Sequence, residues 1–91
     1  MEIDLSLFEK VKNRIDNAES ILITSHKSPD GDSVGCSLGL FHFLQKLNKS
    51  VNICHPDEAP LFLNWAKGAN EIISNEINPD KVKQCFLNAD L

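Results

Sequence analysis

The chain has 91 residues, of which 42% are hydrophobic and 24% are charged, with four glycines and four prolines. This composition fits one small folded domain at most, and it excludes collagen-like, low-complexity and wholly disordered proteins. The formal net charge of −4 argues against a protein that holds duplex nucleic acid through a broad basic face. It allows a small anionic substrate if a local positive group reverses the sign of the field.

The three cysteines are odd in number and form no C-x-x-C pair, so a disulfide framework is not expected. The first residues lack the basic start and apolar run of a secretory signal, and no segment reaches the roughly 18 apolar residues of a membrane helix. We therefore predict a reduced, cytoplasmic protein without a membrane span. Its thiols, Cys36, Cys54 and Cys85, are expected to be small buried hydrophobic groups.

The N-terminal region predicts a helix followed by a strand. Ser6 and Glu9 fit the S-x-x-E pattern of a capping box, and apolar residues at helical spacing predict a helix over residues 7–18. The apolar run at residues 21–24 shows no alternation with polar residues. Such a run predicts a strand that is buried on both faces.

A loop at residues 25–32 precedes a second predicted helix at residues 33–47. Apolar residues cover more than one narrow stripe of this helix, which predicts that it is well buried. Gly35 and Gly39 each cost roughly 1 kcal/mol inside a helix. We expect close approach of the helix to a strand or a ligand to compensate for that cost.

The second half of the chain continues the alternation of strands and helices. Residues 51–54 predict a second strand, and residues 72–73 predict a third. Between them, Pro60 opens a short predicted helix that Gly68 ends, and Trp65 is expected to pack beneath it.

A last helix is predicted to begin with Asn78 as the cap and Pro79 at the first helical position. Its buried side is expected to carry Val82, Cys85 and Phe86. Strands and helices thus alternate at βαβ spacing along the whole chain. We predict the α/β class, with a parallel sheet of about three strands and flanking helices.

Residues 89–91 fall where an alternating chain begins its next strand. Because a parallel sheet buries both faces, a sheet that stops there lacks a neighbour. We interpret residues 1–91 as the incomplete N-terminal portion of a larger α/β domain. The alternative is a natural three-stranded small domain with a frayed tail.

The loop at residues 25–33, SHKSPDGDS, lies between a strand and a helix, where open α/β sheets bind their ligands. Asp30 and Asp32 flank Gly31 and can converge on one point, where a repulsion of roughly 3 kcal/mol favours a bound cation. His26 beside two carboxylates, with no thiolate, favours Mn²⁺, Mg²⁺ or Fe²⁺ over structural zinc. The alternative is a solvated Asp-Gly turn in which Asp32 caps the next helix and His26 lies on the surface.

Three other loop motifs do not fit these residues. Gly31, Gly35 and Gly39 are spaced by four and no lysine follows them, which excludes the P-loop and the dinucleotide fingerprint. An EF-hand loop that starts at Asp30 fails because Phe41 occupies the position of the bidentate glutamate.

Residues 26–36, HKSPDGDSVGC, resemble the first motif of the DHH phosphoesterases, roughly H-x-x-P-D-G-D-[SA]-x-G-[SC]. The stretch is most similar to the branch of oligoribonucleases that also remove the 3′-phosphate from phosphoadenosine phosphate (pAp). The likeness extends over most of the chain, including residues 60–68 and 88–91. It implies that residues 1–91 are the N-terminal part of a larger DHH domain.

The resemblance also implies a set of metal ligands. His26 and Asp30 would bind one Mn²⁺, and Asp32 would bind a second. In the family a bridging aspartate on the strand entered at Leu91, the D-H-H motif and a C-terminal substrate domain complete the site. None of these lies within the 91 residues, so a half-site is implied. Ser33, at the helix N-terminus, is a candidate substrate-binding residue, with helix capping as its other role.

The implied function is hydrolysis of short oligoribonucleotides, of the 3′-phosphate of pAp, or of both, with two Mn²⁺ ions per complete site and Mg²⁺ or Fe²⁺ as alternatives. The 91-residue piece alone is expected to be inactive. The implied partners are short single-stranded oligonucleotides or small nucleotides, without duplex nucleic acid or membrane, and the oligomeric state is left open. The alternatives are a non-catalytic metal- or nucleotide-binding α/β module and a fragment that holds no metal.

Several other polar residues fit ordinary structural roles. His55, Asp57 and Glu58 follow the second predicted strand and face the same sheet edge, but a polar loop after a strand is common. Cys54 and His55 are not expected to form a nucleophile pair, because adjacent strand residues point to opposite faces. Lys27 is interpreted as a solvated surface lysine.

Overall fold

The computed structural model of the protein describes residues 4–91. In that part of the chain, helices and strands alternate, and two single 3₁₀ turns, Leu61–Leu63 and Ala69–Glu71, separate the second strand from the third. The elements in chain order are α1 (Leu5–Asn17), β1 (Ser20–Thr24), α2 (Gly31–Lys46), β2 (Ser50–His55), β3 (Ile72–Ser74) and α3 (Pro79–Asn88). The predicted α/β fold with a parallel sheet of three strands is confirmed. None of the described helices is long and apolar enough to cross a membrane.

The three strands pair in parallel in the order β1-β2-β3. Ile21 pairs with Val51 and Ile23 with Ile53, and Ile53 pairs with Ile72 on its other side. β2 is therefore the central strand. The carboxyl ends of all three strands meet at one edge, which is the ligand-binding edge of open α/β sheets.

The core lies between the sheet and α2. Leu44 and Ile53 are 1% and 0% exposed. The apolar residues buried together are Ala18, Ile21, Ile23, Val34, Leu38, Phe41, Leu44 and Ile53. Along β1, Ile21 and Ile23 are buried but Leu22 is partly exposed. The expectation that this strand is buried on both faces is therefore wrong, because its second face is only partly covered.

α1 begins at Leu5, earlier than predicted, because Asp4 caps it. The Asp4 Oδ1 atom accepts hydrogen bonds from Ser6 N at 2.9 Å and from Ser6 Oγ at 2.6 Å. Ser6 lies inside the helix, so the capping box predicted for Ser6 and Glu9 is wrong. The helix ends at Asn17, close to the predicted end.

α2 begins at Gly31 rather than at residue 33, because Asp30 serves as its cap. A Cβ atom added at Gly35 or Gly39 would meet no atom within 4 Å. The close approach expected at these two glycines is therefore wrong. Within the described chain, no packing offsets their cost to the helix.

The segment between β2 and β3 forms 3₁₀ turns instead of the predicted short helix. Trp65 is 81% exposed, so the expectation that it packs beneath a helix is wrong. Gly68 has a φ of +88°, and a Cβ there would lie 3.0 Å from Cε1 of His42. This left-handed conformation explains why glycine ends the segment.

α3 begins as predicted, with Asn78 as the cap and Pro79 in the first turn. Val82 is buried and Cys85 is half-buried, but Phe86 is 58% exposed. The predicted burial of Phe86 is therefore wrong, because nothing in the described residues covers that part of the helix.

The three thiols are free, but they do not share one environment. Cys54 is buried in the sheet, as predicted. Cys36 is exposed, since it lies on the outer face of α2, and its predicted burial is wrong.

The chain ends alongside the open edge of β1. Leu91 N donates a hydrogen bond to Ser20 O at 3.3 Å, and Leu22 N donates to Leu91 O at 2.9 Å. This pair of bonds sets Leu91 opposite Ile21 in a parallel register. The chain therefore enters a strand position beside β1, in agreement with the sequence pattern.

Asp90 holds this last segment against the start of β1. Its carboxylate accepts hydrogen bonds from the backbone N–H groups of Glu19 and Ser20, each at 3.0 Å. These bonds keep the pKa of Asp90 below its ordinary value, so the carboxylate is ionised at neutral pH.

Candidate metal centre

The residues predicted to bind metal are close to one another in sequence, and they lie at the carboxyl edge of the sheet. His26 is in the loop after β1, Asp30 caps α2, and Asp32 is in the first turn of that helix. All three side chains are exposed, as is Lys27. The loop thus presents these groups to solvent at the edge where a ligand is expected.

Asp30 and Ser33 form a reciprocal capping box. Asp30 Oδ1 accepts a hydrogen bond from Ser33 N at 2.9 Å, and Ser33 Oγ accepts one from Asp30 N at 2.8 Å. The alternative in which Asp32 caps the helix is therefore wrong. The bond from Ser33 N lowers the pKa of Asp30, so its carboxylate is charged at neutral pH. The capping role of Ser33 is confirmed, and its role toward substrate stays a prediction.

His26 is oriented by a backbone carbonyl. Its Nδ1 atom lies 2.7 Å from Lys27 O. Because a carbonyl oxygen only accepts hydrogen bonds, the Nδ1 atom is the donor in this contact. This is the arrangement in which histidines bind metals, with one ring nitrogen fixed by a carbonyl and the other available to the ion.

The chemistry of these donors fits a hard divalent cation, since it combines an imidazole nitrogen with carboxylates and no thiolate. Within residues 4–91, however, no three His, Cys, Asp or Glu side chains are placed so that they could hold a metal ion. Asp30 also uses one carboxylate oxygen for its helix cap. The metal-binding roles of His26, Asp30 and Asp32 therefore stay predictions.

A residue after the neighbouring strand fixes the conformation of this loop. Ser28 N donates a hydrogen bond to Asp57 Oδ1 at 2.8 Å. Ser28 has a φ of +56°, in the left-handed region that costs a non-glycine residue roughly 1–2 kcal/mol. Sequence position alone places Asp57 in an ordinary polar loop. The structure instead shows that its carboxylate stabilises the strained residue of the candidate site.

A buried histidine ends β2 at the same sheet edge. His55 is 1% exposed, and its Nε2 atom lies 3.1 Å from Ser37 Oγ on α2. Its Nδ1 atom has no hydrogen-bond partner in the described chain, which costs about 1–3 kcal/mol for a buried polar atom. Burial, and then the charge of His26, lower the pKa of His55, so the ring is neutral at pH 7. Sequence position indicates only that this residue ends a strand, and it does not predict that the ring is buried.

We expect the stability of the protein to fall as the pH is lowered from about 6.5, and a His55→Gln variant to show a weaker fall. Because the folded pKa of His55 lies below its ordinary value, the unfolded chain takes up the proton first as the pH decreases. The stabilisation is complete above the ordinary pKa and is lost as the pH falls through the folded one. Melting temperatures between about pH 8 and pH 5 measure this difference.

The matched control for that measurement is Ser37→Ala. This variant removes the hydrogen bond to Nε2 but leaves the imidazole buried, and burial is the main cause of the lowered pKa. It should therefore keep the pH dependence of the unmodified protein. Parallel curves for the unmodified protein and His55→Gln would contradict the assignment.

Cys54 and His55 face opposite sides of the sheet, as predicted. His55 contacts Ser37 on α2, whereas Cys54 lies beside Cys85 on α3. Burial raises the pKa of Cys54 to about 12, and the neighbouring Cys85 thiol adds to the effect. A thiol with such a pKa stays protonated, so Cys54 is not a nucleophile.

Two cavities open beside the ends of β2 and β3. One has a volume of about 290 Å³ and is lined in part by Ser25, His55 and Asn75. The other, about 320 Å³, is lined in part by Asp57 and Glu58. The polar residues after β2 thus border space at the edge where the candidate metal loop lies.

A comparison with solved structures found a similar protein. It is an exopolyphosphatase-related protein from Bacteroides fragilis, known from a crystal structure. The match has 35% sequence identity and a TM-score of 0.93, and it covers 97% of this chain. The chain spans 26% of the length of that protein. No family model and no curated protein matched the chain.

Proposed function

We propose that this chain is the first part of a DHH-type phosphoesterase and carries the first metal-binding motif of that enzyme. The observation that carries the proposal is the 35% identity, at a TM-score of 0.93, to an exopolyphosphatase-related protein over 97% of the chain. The position of the loop supports it, because residues 26–33 lie at the ligand-binding edge of a parallel sheet. A hydrolase that cleaves bonds to phosphorus is the activity these observations favour.

The proposed substrates are short oligoribonucleotides and the 3′-phosphate of pAp. This choice depends on the resemblance of residues 26–36 to the oligoribonuclease and pAp phosphatase branch. It also agrees with the net charge of −4, which disfavours a long polyanion held along a basic surface. We place the reaction in the cytoplasm, where free thiols such as the exposed Cys36 persist.

The proposed cofactor is Mn²⁺, with His26 and Asp30 binding one ion and Asp32 a second. When bound, such ions polarise the phosphate and lower the pKa of a coordinated water. In this chain, His26 would bind through Nε2 and Asp30 through Oδ2. The other donor atom of each side chain is already hydrogen-bonded, Nδ1 of His26 to Lys27 O and Oδ1 of Asp30 to Ser33 N. The bond from Ser33 N keeps Asp30 both ionised and fixed in position. The remaining ligands are proposed to come from a later part of the same protein.

The test is an assay of the complete protein, meaning the polypeptide of which this chain is proposed to be the first part. Three substrates are compared: pAp, a short oligoribonucleotide and inorganic polyphosphate, each with Mn²⁺ and after chelation. We expect hydrolysis of pAp and of the oligoribonucleotide, and loss of both activities after chelation. Hydrolysis of polyphosphate alone would overturn the substrate assignment, and hydrolysis of none of the three would overturn the function.

A second candidate is a non-catalytic metal- or nucleotide-binding module. One observation favours a non-catalytic role, namely that residues 4–91 bring together no three side chains that could hold the ions of a two-metal hydrolase. Calorimetric titration of the 91-residue chain with Mn²⁺ measures whether it binds metal by itself. Binding to this chain, combined with an inactive complete protein, would favour the module over the enzyme.

A further inference from the structure

One peptide group in the candidate metal loop is hydrogen-bonded at both ends. It joins Lys27 to Ser28, and we call it the 27–28 peptide. Its N–H donates to Asp57 Oδ1 at 2.8 Å, and its carbonyl oxygen lies 2.7 Å from His26 Nδ1, which donates to it. The peptide is trans, so its N–H and C=O point in opposite directions. Asp57 and His26 therefore lie on opposite sides of one rigid plane.

The bond to Asp57 connects this loop to the loop after the neighbouring strand. Among the described residues, positions 26–29 make no other hydrogen bond to a residue outside the loop at residues 25–33. Asp57 is half-buried at the end of β2, whereas His26 and Lys27 are exposed. The orientation of the 27–28 peptide thus depends on a carboxylate that lies 29 positions away in sequence.

Ser28 needs an external partner to keep its backbone conformation. Its φ of +56° lies in the left-handed region, where the side chain of a non-glycine residue crowds the backbone. Ser28 also precedes Pro29, and a proline narrows the conformations that are open to the residue before it. Strained residues persist only where the surrounding structure holds them. A carboxylate is a stronger acceptor than a neutral group, so Asp57 is well suited to hold this one.

We infer that Asp57 is a positioning residue for His26 and acts through the 27–28 peptide. The carboxylate fixes the N–H of the peptide, and the carbonyl at its other end then holds the imidazole by Nδ1. Hydrogen bonds in such a chain polarise and strengthen one another. The inference deepens the proposed function and rests on it, because the ion it concerns is the Mn²⁺ proposed to bind Nε2 of His26.

Two other roles for Asp57 agree less well with its contacts. As a direct metal ligand it would need neighbouring donors, but no group of three possible ligands occurs within residues 4–91. As a source of negative charge alone it would be equivalent to the next residue, Glu58, which is exposed and makes no hydrogen bond to the loop in the described chain. The contact with Ser28 is what distinguishes Asp57 from Glu58.

The test compares three variants of the complete protein. Asp57→Ala removes the acceptor, Asp57→Asn keeps an oxygen acceptor without the charge, and Glu58→Ala removes the same charge one residue away. We expect Asp57→Ala to require about 10-fold more Mn²⁺ for half-maximal activity, Asp57→Asn about 3-fold more at most, and Glu58→Ala the same amount as the unmodified protein. A role in folding alone would lower the melting temperature without this order of Mn²⁺ requirements.

A second measurement uses the metal-free protein and needs no activity. Trypsin cleaves after the exposed Lys27 when the loop opens, so the cleavage rate reports how firmly the 27–28 peptide is held. We expect cleavage after Lys27 to be about 10-fold faster in Asp57→Ala and nearly unchanged in Glu58→Ala. Mass spectrometry of the fragments identifies the site of cleavage.

A rescue experiment tests the path through Ser28. Glycine adopts the left-handed conformation without strain, so Ser28→Gly should reduce the need for an external partner. In the Ser28→Gly background we expect Asp57→Ala to raise the Mn²⁺ requirement by about 3-fold or less. An undiminished 10-fold effect in that background would contradict the path.

Other outcomes would overturn the inference in different ways. If Asp57→Asn is impaired as strongly as Asp57→Ala, the charge matters rather than the hydrogen bond. If Glu58→Ala matches Asp57→Ala, the effect is a general one of charge. If Asp57→Ala changes neither measurement in an active protein, the inference is wrong while the proposed function stands. If the unmodified protein hydrolyses none of its proposed substrates, the function is wrong, and trypsin cleavage still decides whether Asp57 holds the loop.

Discussion

Replacement of Asp30 by asparagine is expected to lower the activity of the complete protein about 100-fold or more while leaving its fold intact. Asparagine caps helices about as well as aspartate, so the bond from Ser33 N is retained. A neutral amide, however, lacks the charge with which a carboxylate holds a hard divalent cation. Measurements of kcat/KM and of melting temperature on the same variant separate the two effects.

Two further variants sharpen this test. Asp30→Ala removes the charge and the cap together, so it should lose the same activity and also lower the melting temperature. Asp4→Asn makes the matched substitution at the cap of α1, remote from the loop, and should leave activity unchanged. If Asp30→Asn is as active as Asp4→Asn, Asp30 is not a metal ligand.

Replacement of Leu44 by alanine is expected to lower the free energy of unfolding by about 2–5 kcal/mol. Leu44 is 1% exposed and packs with Ile23 and Ile53 where α2 meets the sheet. Its truncation removes buried methyl groups and leaves a cavity that a packed core refills only in part. For a domain of this size the melting temperature should fall by roughly 10–30 °C, which thermal or urea unfolding measures.

The matched control is Leu87→Ala on α3. Leu87 is 73% exposed, so its truncation leaves no cavity in the core and should change the free energy of unfolding by about 0.5 kcal/mol at most. Equal losses for Leu44→Ala and Leu87→Ala would show that the core between α2 and the sheet is not the main source of stability.

The order and type of the three α-helices and three strands could be predicted from the sequence because each depends on local periodicity, whereas the segment between β2 and β3 was wrongly predicted as a helix. The helix starts were harder, since two good capping residues often stand close together. Asp4 and Ser6 both suit the cap of α1, as Asp30 and Asp32 do for α2, and the pattern alone does not choose between them. In each case the earlier residue caps the helix, because its carboxylate reaches a backbone N–H two or three residues later.

Exposure could not be predicted in the same way. Trp65 and Phe86 stand at positions where apolar residues usually pack, yet they are 81% and 58% exposed. Their burial depends on what lies above them in space, and the spacing of residues in one helix does not contain that information.

The position of the candidate site was predictable, but the contacts that shape it were not. A strand, a loop with two carboxylates and a helix place residues 25–33 at the sheet edge from sequence alone. The bond between Ser28 and Asp57 joins residues 29 apart in sequence, and the contact of Ser37 with His55 joins residues 18 apart. Such contacts follow from the register of the sheet, which no local motif records.

The bonds that Asp90 accepts from Glu19 and Ser20 also bear on how the protein is made. They join residues that are 71 and 70 positions apart, so they form only after residue 90 has been synthesised. At about 5–20 residues per second, a ribosome needs roughly 4–14 s to travel that distance. During this interval the edge of β1 has no partner on its outer side, and an unpaired strand edge is where nascent chains associate with one another. The bonds that Asp90 accepts therefore begin to cover this edge only after residue 90 has been made.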